Sequence, residues 1–115
     1  MTKKRIADFY RFLSVASMKR LNDDEKIVFI RLLRLMKPVA IEIQTAFNDA
    51  ITKARESCNN EHDIINIVEK SMEDLAGAEC SVIIKTMPSD MFGRLCLSND
   101  WTFAQIDELE HELVL

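Results

Sequence analysis

Apolar residues recur at three- or four-residue steps, without a break, through the centre of the chain. This is the repeat of one face of an α-helix. The residues that carry it are Ile27, Ile30, Leu33, Met36, Ala40, Ile43, Phe47, Ala50 and Ala54. Asn22 can cap the start, with Glu25 three residues further on. Pro38 removes one backbone hydrogen bond from a helix, but the apolar register continues across it. The sequence therefore predicts one long, Pro-kinked helix over Asp23–Arg55, with a break at Lys37 as the alternative.

Four shorter segments on either side of this stretch also have helical patterns. The first begins at Lys3 and is expected to reach about Lys19. Another covers roughly Glu61–Ala76, with Gly77 placed to end it. A short helix is expected after Pro88 and a last one after a capping box of Thr102 and Gln105. The β-branched segment Val82–Lys85 is the one candidate for a short strand.

The fold class follows from these segments and from the scarcity of turn residues. The 115 residues include two glycines and two prolines, too few to punctuate an all-β fold. Apolar residues make up 48% of the chain and charged residues 30%, a globular balance. We expect an all-α fold, a compact bundle of four to five helices with at most one short strand, and a single domain over residues 1–115.

The expected location is the cytoplasm. No apolar run approaches the roughly 20 residues that a membrane-spanning helix needs. The basic start of the chain mixes Asp8 with aromatic residues instead of entering an apolar signal core. Three unevenly spaced cysteines, Cys58, Cys80 and Cys96, are typical of reduced thiols inside a cell.

No motif in the chain indicates catalysis, a cofactor or a metal. The two glycines do not form a phosphate-binding loop, and there is neither a G-x-S-x-G nor an H-E-x-x-H sequence. Cys58 and His62 could share a helix face, but no further ligand has a zinc-site spacing. His111 lies between acidic residues and has the character of a solvated side chain. We therefore expect no enzymatic activity, no cofactor and no small-molecule substrate.

Charge is distributed unevenly along the sequence. Residues 1–40 carry a net charge of +6 and the remainder −10. Arg31, Arg34 and Lys37 share one helix face and could contact phosphates. The overall pI near 5.2 argues against a dedicated nucleic-acid-binding protein. A small nucleic-acid-associated regulator is therefore the alternative function.

The N-terminal half has more apolar surface than a small bundle can hide. This surface predicts an interface with a second copy, most simply as a homodimer, or with another protein. The predicted interface residues are Phe9, Tyr10, Phe12, Leu13, Phe29 and Leu32.

Both ends of the chain resemble a group of small helical proteins from prophage-like mobile elements of gut anaerobic bacteria. The similar stretches are residues 8–13, 24–26, 34–40, 95–102 and 105–106. No activity is assigned to that group, so the resemblance implies a setting and no catalytic residues. We expect a non-enzymatic protein-interaction module, such as a phage assembly chaperone or a minor structural component.

Overall fold

The computed structural model describes all residues from Met1 to Leu115, of which 72% are helical. The five helices are α1 Lys3–Leu13, α2 Asp23–Ser57, α3 Glu61–Gly77, α4 Ser89–Leu97 and α5 Phe103–Leu113. No strand forms, and the extended backbone contributes only two isolated bridges, Thr2 with Glu79 and Met87 with Val114. The predicted all-α class is confirmed. None of the helices combines the length and the apolar character that crossing a membrane requires.

The long central helix is confirmed as one element of 35 residues that contains Pro38. Its start is capped as the sequence predicted. The backbone N–H of Glu25 donates to Asn22 Oδ1 at 2.8 Å, and the backbone N–H of Asn22 donates to Glu25 Oε1 at 3.0 Å. Three acidic residues in the first turn also complement the positive end of the helix dipole. The alternative, a break at Lys37, is wrong.

Helix α1 ends at Leu13, six residues before the predicted end at Lys19. Beyond it, backbone groups bond to side chains far along the chain instead of to helical carbonyls. The N–H of Ser17 donates to Asn99 Oδ1 at 2.8 Å, and the N–H of Arg20 donates to Ser98 Oγ at 2.9 Å. These bonds satisfy donors that would otherwise favour another helical turn.

Helix α3 ends close to its predicted boundary, but by a different conformation. Gly77 is its last residue and Ala78 is the C-cap in an extended conformation, with no residue at positive φ. The left-handed glycine cap of many helices is therefore absent. Val82–Lys85 has no regular secondary structure, and the isolated bridge nearest to it in the sequence is that of Met87 with Val114.

The chain forms two compact units, each built from two segments. The hairpin unit comprises residues 1–10 and 37–81 and contains most of α1, the second part of α2, and α3. The three-helix unit comprises residues 11–36 and 82–115 and contains α4, α5 and the first part of α2. Twelve apolar residues are buried in the three-helix unit but only six in the hairpin unit, although the two are similar in size. The single-domain expectation stays a prediction.

Candidate interaction surface

The hairpin unit has a thin core. Val68 is the one buried residue of the 17 in α3. Between residues 37 and 57 of α2, only Val39 and Ala54 are buried. Large apolar side chains of the same two helices stay in contact with solvent, including Phe47 (41% exposed) and Ile65 (50% exposed). The hairpin therefore presents apolar side chains that its own helices do not cover.

These side chains line a groove of about 510 Å³ between the two helices. Helix α2 contributes Phe47 and Ile51, which are one helical turn apart and so lie on one face. Helix α3 contributes Ile64 and Ile65, which lie four and three residues before Val68 and share a face with it. The sequence thus places two apolar helix faces side by side and leaves a channel between them.

Three charged residues mark the two ends of the groove. Arg55 and Glu61 flank the connecting loop, and Glu69 lies two helical turns further along α3, or about 12 Å at 1.5 Å per residue. All three side chains are exposed, and none forms an ion pair within the chain. The groove therefore has an apolar floor, with an arginine and a glutamate without ion-pair partners at the loop end and a single glutamate at the far end.

A second groove, of about 400 Å³, lies between the same helices. Small and polar side chains such as Ala50, Lys53 and Ser71 make up most of its lining, although Ile67 at its edge is 39% exposed. It offers a partner fewer large apolar contacts than the groove of Phe47 and Ile65.

The six predicted interface residues have few exposed apolar atoms. Four of them, Phe9, Leu13, Phe29 and Leu32, are buried. Tyr10 and Phe12 are half-buried. The ring of Phe12 packs against Trp101 with their centroids 5.4 Å apart, and the guanidinium of Arg5 lies 5.3 Å from the centre of the Phe9 ring. An interface through these six residues stays a prediction.

Arg31, Arg34 and Lys37 are all exposed and have no acidic partner in the chain. In the three-helix unit, Ile27 and Ile30 are also exposed on α2 and lie among the arginines at helical spacing. The basic N-terminal part and the acidic remainder of the sequence do not correspond to the two units. The hairpin unit has seven basic and ten acidic residues, and the three-helix unit has eight and nine.

An ion pair joins two helices of the three-helix unit. Arg94 on α4 donates from Nε to both carboxylate oxygens of Glu25 at 3.0 Å, and its Nη2 donates to Oε2. The hydrogen bonds from Arg94, followed by that from the Asn22 backbone, lower the pKa of Glu25. The same carboxylate thus caps α2 and fixes α4 against it, which accounts for its burial.

The cysteines and histidines do not converge on one site. No group of three or more His, Cys, Asp and Glu side chains is arranged to hold a metal ion. The Cys58 thiol donates to the carbonyl of Ala54 at 3.4 Å. Burial, followed by the negative charge of Glu110, raises the pKa of the Cys96 thiol. A raised pKa disfavours the thiolate that a nucleophile requires.

No family model, curated protein or solved structure matches this chain. What the chain can do is therefore inferred from the groove and charges of its own surface.

Proposed function

We propose that this protein is a non-enzymatic protein-interaction module that receives an amphipathic helix in the groove between α2 and α3. The groove carries the proposal, because it holds exposed Phe47 and Ile65 over a thin core. Continuous apolar surface of this kind usually marks an interaction site in a soluble protein. Two neighbouring helices with a channel between them offer the surface that helix-in-groove recognition uses.

The dimensions of the groove set the size of its ligand. Its apolar floor extends over about two helical turns, so a partner helix would place two or three apolar residues at steps of three and four into it. Phe47 is the aromatic side chain of the groove, and interfaces concentrate much of their binding energy in large, well-packed side chains. Arg55 and Glu69 would select the partner's charges at the two ends.

Photocrosslinking inside the cells that produce the protein tests this proposal. Benzoylphenylalanine is introduced at Phe47 or Ile65 in the groove, and at Lys70 as a control. Lys70 is an exposed residue that points away from the groove on α3. We expect discrete adducts of defined mass from the two groove positions and none from Lys70. A helix docked in the groove brings its C–H bonds within reach of the first two positions only.

Two results would contradict the proposal. One is a folded, expressed protein that gives no adduct from either groove position. The other is the same set of adducts from Lys70 as from Ile65, because random collisions do not distinguish the faces of a helix.

The biological setting belongs to the same proposal. The resemblance of both chain ends to helical proteins of prophage-like elements supports a role in phage assembly, as a chaperone-like or minor structural component in the cytoplasm. A reversible partner helix suits such a role, because an assembly helper must hold an apolar segment and then release it. Mass spectrometry of the crosslinked partner tests this setting, and a phage-encoded protein, a second copy of this chain included, is the expected identification.

A nucleic-acid-associated regulator is the second candidate, supported by the exposed and unpaired Arg31 and Arg34. Phosphate contacts from two arginines would give weak binding that falls steeply with salt. Fluorescence anisotropy with duplex DNA tests this candidate in 50 and 200 mM salt. Sequence-selective binding that an Arg31→Ala/Arg34→Ala variant loses would favour the regulator over the interaction module.

A further inference from the structure

We propose that the groove accepts the same groove of a second copy of this chain, so that α2 and α3 of two hairpin units pair about a two-fold axis as a four-helix bundle. This inference rests on the proposed function, because it uses the same groove and names its occupant. The order of charges along the groove, with Arg55 and Glu61 at the loop end and Glu69 at the far end, favours a second copy as the occupant.

A two-fold axis across the groove reverses its direction in the partner. The loop end of one copy then lies opposite the far end of the other. Arg55 of each copy meets Glu69 of the partner subunit, and symmetry makes this pair twice. Neither side chain has an ion-pair partner within its own chain, so both are available. Glu61 lies next to Arg55 at the loop end, which gives each arginine two carboxylates to bridge.

The apolar residues suit the same arrangement. Phe47 and Ile51 from α2, with Ile64 and Ile65 from α3, would pack against their counterparts in the partner subunit. One pair of α2 and α3 leaves this apolar face open to water, whereas two such pairs placed face to face enclose a core. The hairpin has one buried residue in α3, and pairing would give that helix the second neighbour that its apolar width requires.

Charge reversal tests the pairing with the purified full chain. Sedimentation equilibrium is measured over a hundredfold concentration range for the unmodified protein, Arg55→Glu, Glu69→Arg and the double variant. Each single change replaces two attractive contacts with two repulsive ones, so we expect the dimer Kd to rise roughly tenfold. The double variant restores both pairs with their signs exchanged, and its Kd should return to within about threefold of the original.

An apolar variant provides a second readout. Ile65→Asp places a charge at the centre of the seam and should abolish the dimer, whereas Ile83→Asp is a matched control. Ile83 is more exposed, at 73%, and lies in a segment without regular secondary structure outside the groove. Circular dichroism of both variants should retain the helical signal, because neither isoleucine is buried.

Two outcomes would overturn the inference. One is a species of 13.3 kDa at every concentration. The other is a dimer that neither single reversal weakens, or that the double reversal fails to restore. A monomer whose groove still crosslinks to another protein in cells would overturn the second copy as the occupant and leave the proposed function standing. A groove that crosslinks to nothing would overturn both.

Discussion

Replacing Asn99 removes three hydrogen bonds at one point of the three-helix unit. Its Oδ1 accepts from the N–H of Ser17 at 2.8 Å, and its Nδ2 donates to the carbonyls of Ser17 and Leu95 at 2.9 Å each. One side chain thus pairs both backbone groups of Ser17 and adds a second hydrogen bond to the Leu95 carbonyl, which also accepts from the N–H of Ser98. We expect Asn99→Ala to destabilise the fold because all three bonds are lost together.

The expected loss is about 2 kcal/mol. A hydrogen bond contributes about 0.5–1.5 kcal/mol net to stability, and three give a larger sum. Asn99 is half-buried, so water replaces part of what is lost. For a chain near 100 residues, each kcal/mol shifts Tm by roughly 4 °C. Asn99→Ala should therefore melt about 8 °C below the unmodified protein.

The substitution Asn99→Asp tests separately the contribution of the two N–H donors. It keeps the acceptor for Ser17 but replaces two N–H donors with a carboxylate oxygen facing two carbonyl oxygens. The loss at pH 7 should exceed that of Asn99→Ala. Folding disfavours this charged form, which raises the pKa of the introduced carboxyl. The extra loss should therefore disappear as the pH falls and the carboxyl is protonated, once the same titration of the unmodified chain is subtracted.

Thermal and urea unfolding followed by circular dichroism at 222 nm measures these changes. Asn66→Ala is the matched control, because Asn66 is exposed on α3 and makes no hydrogen bond through its side chain. Its stability should stay within about 0.5 kcal/mol of the unmodified protein. An Asn99→Ala protein that unfolds together with this control would refute the reasoning, since it would mean that water replaces all three bonds without cost.

The remaining predictions concern two titrating groups. The pKa of Glu25 lies below its ordinary value of 4.5, so its contribution to stability is present above that value and is lost as the pH falls through the lower, folded-state pKa. Glu25→Gln keeps an acceptor for the cap of α2 and should therefore lose less stability than the unmodified protein between about pH 5 and pH 3, as measured by urea midpoints. At Cys96, alkylation by iodoacetamide at pH 8 should be slow in the folded protein and faster in Glu110→Gln, because burial and then the charge of Glu110 raise the thiol pKa.

Both titration experiments have internal controls. Glu73→Gln, at an exposed position on α3, should leave the acid dependence unchanged. Equal slopes for Glu25→Gln and the unmodified protein would contradict the assigned role of the Arg94 pair. The alkylation rate at Cys58 should not respond to Glu110→Gln. A response at Cys58 as large as at Cys96 would indicate a general loosening of the fold instead of a local charge effect.

Features set within one helical turn could be predicted from the sequence. The capping boxes of Asn22 with Glu25 and Thr102 with Gln105 both form, because the two partners are three residues apart and meet whenever a helix starts. The length of α2 followed from its apolar register in the same way. These contacts need no knowledge of which other element lies nearby.

Contacts between distant segments could not be predicted. The early end of α1 depends on Asn99, which is 82 residues from Ser17 in the sequence. An apolar stripe likewise shows which face of a helix will be buried if a partner is present, but it does not identify the element that packs against that face. Phe9 and Phe29 belong to such stripes and are buried. Phe47 and Ile65 also belong to such stripes but stay partly exposed. The one available signal for the groove was the width of the α3 stripe, where Ile64, Ile65, Ile67 and Val68 spread over more than one face.

Hydrogen exchange of the purified chain tests most directly whether the groove of the hairpin is left open for a partner. We measure it by mass spectrometry at low and high protein concentration. In the dilute protein, amides of α3 should exchange faster than those of α4 and α5, because α3 has one buried residue and α4 has three. At high concentration, α3 and residues 47–55 of α2 should slow, and Ile65→Asp should abolish that change. An α3 that exchanges as slowly as α4 in the dilute protein, and that responds neither to concentration nor to Ile65→Asp, would contradict an open groove.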